Sequence, residues 1–162
     1  MATQDVSADR DWGKLADASE AERLARMKAR YLELDKLTEE ERRRRFRSMA
    51  IAEYALPDDK LRIFTKSRIE TWLEMESAAA VRTFASYNSV MSEMPGDAAY
   101  RRVAMVQTIA RELPPEKQEK LKILAPNVLA GRTFSASAVS APAAAQAKPA
   151  AKKGFWPFGK KS

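Results

Sequence analysis

Apolar residues recur at helical spacing through most of the chain. Leu24, Met27, Tyr31 and Leu34 form one stripe, Phe46, Met49, Ala50 and Tyr54 a second, and Leu61, Phe64, Ile69 and Trp72 a third. Ala80, Phe84, Tyr87 and Met91 form a fourth, with Val81 and Val90 beside them. Val103, Val106 and Ala110 form a fifth, with Ala99 one turn earlier. Steps of three and four keep each set on one side of a helix, so the pattern predicts five amphipathic helices. A sixth is expected from Glu116 to about Leu124, where Pro126 should end or kink it and Gly131 offers a stop.

A longer period overlies the stripes. Leu37, Leu56, Met75, Met94 and Leu113 lie 19 residues apart. Pro57, Pro95 and Pro114 follow three of them, and acids cluster just behind: Glu39 to Glu41, Asp58 and Asp59, Glu76, Asp97 and Glu116. Proline suits a first helical turn, where its missing N–H costs nothing, and acids complement the positive end of a helix. Thr38 with Glu41 and Ser19 with Glu22 read as capping boxes. Each period is then one helix of about 14–16 residues and a short turn. Uniform helix length explains the step more simply than internal duplication does. Short turns predict antiparallel neighbours. The expected fold is all-α: a compact antiparallel helical bundle, or a short stack of helical hairpins, of 5–6 helices with a disordered C-terminal tail.

This pattern divides the chain into a flexible N-terminal segment over 1–17, a helical domain over 18–131, an Ala/Ser/Pro-rich linker over 132–151 and a basic-aromatic peptide over 152–162. The linker has no periodic apolar face and cannot offset its own ordering entropy. The peptide contrasts with it. Phe155, Trp156 and Phe158 fall within four positions, with Pro157 among them, bracketed by Lys152, Lys153, Lys160 and Lys161.

Charge sharpens that contrast. The chain carries a net +7. Residues 131–162 hold six Lys or Arg and no acid, which leaves residues 1–130 with 23 basic and 22 acidic side chains. The basic character belongs to the tail, so nucleic-acid binding by the domain is disfavoured.

The chain has no Cys and no His. That removes disulfides, thiolate nucleophiles, Cys-ligated metals and the usual general base near neutral pH. No metal, cofactor or catalytic residue is expected, and no phosphate-binding or dinucleotide motif occurs. The N-terminal residues lack an apolar signal core, and no stretch approaches the roughly 20 apolar residues of a membrane span. A cytoplasmic protein is expected, with room for a peripheral place on a membrane or a large complex.

Two further features invite a function. Arg42 to Arg45 and Arg47 surround one helix, because successive positions turn by about 100°. Arg43, Arg44 and Arg47 point outward as candidate anion ligands. Pairing with Glu39, Glu40 and Glu41 one turn earlier is the simpler reading. Arg68 shares a face with Phe64 and Trp72, so stacking or an ion pair is expected there, with Glu74 close in sequence.

The functional expectation is an adaptor or accessory subunit. Its helical domain binds one component. Phe155, Trp156, Pro157 and Phe158, rimmed by the four lysines, dock a second protein. Anchoring to an anionic membrane surface through the same tip is the alternative, and weak nucleic-acid binding ranks third.

Overall fold

The computed structural model describes residues 8–130, all helical or connecting. The 3-10 helix Trp12–Asp17 leads into α1 (Glu20–Asp35), α2 (Glu39–Tyr54), α3 (Asp58–Glu74), α4 (Ser77–Glu93), α5 (Gly96–Glu112), α6 (Pro115–Leu124) and α7 (Pro126–Leu129). First helical residues 20, 39, 58, 77, 96 and 115 keep the 19-residue step. The linker and the basic-aromatic peptide lie outside the described residues.

The first five joints are built the same way. The backbone N–H of Ala18, Leu37, Leu56, Met75 and Met94 donates to the carbonyl three residues earlier, at 3.0–3.3 Å. The residue that carries the Leu/Met step therefore closes one helix and lies just before the cap of the next. Ser19 and Thr38 cap with their side chains. Glu76 caps α4 by accepting from the N–H groups of Ala78 and Ala79 at 3.0 Å. These two bonds hold its carboxyl below the usual carboxylate range. Pro57, Pro95 and Pro114 are caps with extended ψ of 160°, 148° and 148°, one residue ahead of the first turn that their spacing predicts for them. Pro115 and Pro126 do open their helices, α6 and α7.

A polar side chain at the fourth helical residue reaches back to the same joint. Arg23 donates to the Ala18 carbonyl at 2.8 Å, Arg42 to Leu37 at 3.0 Å and Gln118 to Leu113 at 2.8 Å. The equivalent positions Leu61, Ala80 and Ala99 are apolar, as in a hydrophobic staple. A shared turn thus sets the period.

Packing is heaviest between helices two apart: α2 with α4, α1 with α3 and α3 with α5. The bundle is all-α as expected, but neighbours in sequence share little contact. Each stripe is covered mainly by the helix two along. Aromatic rings knit the main core, including Tyr31 stacked on Trp72 at 5.2 Å and Phe46 edge-on to Tyr87 at 5.7 Å. A smaller core joins Ile69, Val106, Ile109, Leu113, Leu121 and Ala125, and Phe84 touches both.

The stripes of α2 and α3 are buried as their spacing predicts. On α5 the buried face is Ala98, Arg102, Val106 and Ile109, a shift from the expected Ala99, Val103 and Ala110. Arg102 takes a core position that reads as a surface one. Val81 is 55% exposed rather than part of the core.

The N-terminal segment also departs from expectation. From residue 8 onward it belongs to the core, with Trp12, Leu15 and Ala16 buried. Asp9, 1% exposed, accepts from Arg30 of α1 at 3.1 Å and from Arg45 of α2 at 3.0 Å. Gly13 lets this segment approach α2, because a Cβ there would lie 2.7 Å from the Ala52 carbonyl oxygen. Gly13→Ala is expected to destabilise the domain by about 1–3 kcal/mol, read as a lowered urea midpoint, since backbone has to give way.

Candidate functional site

The arginine run of α2 disperses to four destinations. Arg42 is buried at its joint, and Arg45 joins Arg30 on Asp9. Arg43 and Arg47 both pair with Glu93 at the end of α4, rather than with the glutamates one turn earlier. Arg44 is exposed and carries no ion pair among the described residues. Arg43, Arg44 and Arg47 do line one open recess of about 660 Å³, but Glu39 and Glu40 line it too. The recess is therefore close to electrically balanced, which weakens it as an anion site.

The strongest cluster of ionisable groups is internal. Arg68 pairs with Glu53, and the two side chains are 1% and 0% exposed. Arg68 Nη1 also donates to the Tyr87 hydroxyl at 2.5 Å. That hydroxyl lies 3.4 Å from both Glu53 Oε2 and the Tyr54 hydroxyl. The expected stacking is present, with the Arg68 guanidinium 5.6 Å from the Trp72 ring centre and 4.7 Å from that of Tyr87. The ion pair is made with Glu53 on α2, not with Glu74. Arg102 adds a second buried guanidinium, 5.3 Å from the Tyr87 ring and 5.8 Å from the Phe84 ring. Burial lowers its pKa, and burial raises that of the Tyr54 hydroxyl. These groups are buried, so the cluster joins helices rather than facing the surface.

The surface offers an apolar groove of about 250 Å³, where the end of α3 and the start of α4 face α6. Trp72, Met75 and Ala80 are its buried residues, and Leu73 and Leu124 are half-buried. Val81 and Ile123, 55% and 82% exposed, stand at its edge. The sequence pattern does not reveal this groove. Its one signal is an apolar residue left outside the stripe on each of two helices.

The candidate docking residues Phe155, Trp156, Pro157, Phe158, Lys152, Lys153, Lys160 and Lys161 lie outside the described residues. Among the described residues no helix is long and apolar enough to cross a membrane. A scan against protein-family models, a search of curated proteins and a search of solved structures each found no match.

Proposed function

We propose that this protein is a non-catalytic adaptor or accessory subunit, in which the helical domain engages one component and the basic-aromatic tip docks a second protein. One observation carries the reading. Three aromatics within four positions, bracketed by lysine pairs, follow an Ala/Ser/Pro run that could not support them in a core of its own. Aromatics anchor small interfaces, lysines supply rim contacts, and Pro157 lowers the ordering cost. Tethering raises the effective concentration of the second contact once the first is made. Burial of the Glu53–Arg68–Tyr87 cluster supports a scaffold role for the domain.

The test is affinity purification with mass spectrometry, comparing the full chain with one lacking Gly154 to Ser162. The deletion is expected to abolish recovery of a specific partner while far-UV circular dichroism stays unchanged. Equal recovery from both chains overturns the reading. Recovery lost together with flotation on anionic vesicles assigns the tip to a lipid surface instead.

A further inference from the structure

The apolar groove between α3, α4 and α6 is open among the described residues, and the chain leaves those residues close by. Ile123 and Leu124 line it, and Ala130, the last described residue, follows after α7 alone. From Ala130 to Phe155 the chain runs through the Ala/Ser/Pro-rich stretch. Even a fully flexible coil of that length has an end-to-end distance of about 25–30 Å, and Ala and Pro lengthen it. That is about the diameter of a small domain, so the tip reaches the groove without stretching.

The chemistry matches. Buried Met75 gives a polarisable sulfur that favours an aromatic ring beside it. Val81 and Ile123 lose exposed apolar surface when a ring covers them. Glu74 and Glu76 adjoin the lining residues in sequence, are exposed, and form no ion pair with the described residues. They offer charge to the tip lysines, and Lys120, which also lines the groove, is paired with Glu116 at 3.3 Å. The groove holds one large ring rather than the whole tip.

We propose that the tip Phe155-Trp156-Pro157-Phe158 docks in cis on this groove, so that the docking peptide is held by its own domain until a second protein competes for it. This inference rests on reading the tip as a docking peptide and adds its regulation.

Because the chain has no Cys, Ser162→Cys gives a single site for a nitroxide label on the full chain. Amide signals of Ser77, Val81 and Ile123 are expected to lose intensity by paramagnetic broadening. Glu93, at the far end of α4 and about 24 Å from Ser77 at 1.5 Å per residue, is expected to be far less affected. The double substitution Val81→Asp with Ile123→Asp removes the broadening, and both residues are exposed enough for the fold to tolerate it. Absence of broadening in the parent chain overturns the proposal, as does broadening that survives the double substitution. Mixing isotope-labelled chain without nitroxide and nitroxide chain without isotope leaves the spectrum unchanged if docking is in cis. Broadening in that mixture overturns it in favour of exchange between copies. If broadening fails while partner recovery still depends on the tip, sequestration is wrong and the adaptor reading stands. If broadening is present while partner recovery ignores the tip, the cis contact stands and the adaptor reading is wrong.

Discussion

Replacing Glu53 with leucine is expected to destabilise the domain by about 3–5 kcal/mol, because it leaves the Arg68 guanidinium buried without its counter-charge. The pair lies between α2 and α3, and neither side chain reaches water. The loss is made worse by Arg102. It is a second buried cation in the same region, and Arg68 already acts on it repulsively. Tyr87 partly screens the two guanidinium groups with its ring, but a ring face is a weak substitute for a carboxylate. A loss of this size is comparable with the whole stability of a marginal domain, roughly 5–15 kcal/mol. The companion variant Glu53→Leu with Arg68→Met removes both charges and keeps apolar volume. It is expected to recover most of the loss, since a buried pair returns little net energy over a well-packed apolar one. Urea unfolding of parent, two single variants and the double variant closes the cycle. A single-variant loss below about 1 kcal/mol would show that water reaches the pair.

The parts of this fold that are legible in the sequence are those specified locally. Ser19, Thr38 and Glu76 cap within three residues of themselves, and the joints at Ala18, Leu37, Leu56, Met75 and Met94 close with a bond to the third residue back. The 19-residue step is the sum of such local events, so it can be read without a structure. What stays hidden is polar burial. Arg23 hydrogen-bonds Ser67 across the domain, Arg68 meets Glu53, and Arg102 lies against Phe84 and Tyr87. A basic residue has no mark in the sequence that says its partner lies 15 or 44 positions away. For that reason the stripe of α5 reads out of phase. The groove is hidden for a related reason. Val81 and Ile123 stand on separate helices, and only packing puts them beside one cleft. The tip is legible as composition, but its target is set by a surface that composition does not describe.

Deleting residues 1–18 is expected to unfold the domain or bring it to the edge of unfolding, although the sequence presents this stretch as a lead-in. Trp12 packs edge-on to Phe64 at 5.8 Å and lies 5.8 Å from Tyr31, which places it against α1 and α3 together. Trp12→Ala alone should cost about 3–5 kcal/mol, and loss of Leu15 should add about 2–5 kcal/mol. Asp9 leaves as well, and with it the carboxylate shared by Arg30 of α1 and Arg45 of α2. Those arginines are only 11% and 13% exposed, so their rehydration requires the two helices to part. The segment is hard to recognise because it is too short to show a period, and one tryptophan near a chain end resembles many exposed ones. Trp12→Phe discriminates packing from mere hydrophobicity. It keeps the edge-on contact with Phe64 and should retain part of the stability that Trp12→Ala removes. Equal urea midpoints for the parent, the truncated chain and Trp12→Ala would return residues 8–18 to the status of a flexible lead-in. A midpoint that falls in the order parent, Trp12→Phe, Trp12→Ala, truncation would make this segment the clamp that holds α1, α2 and α3 together.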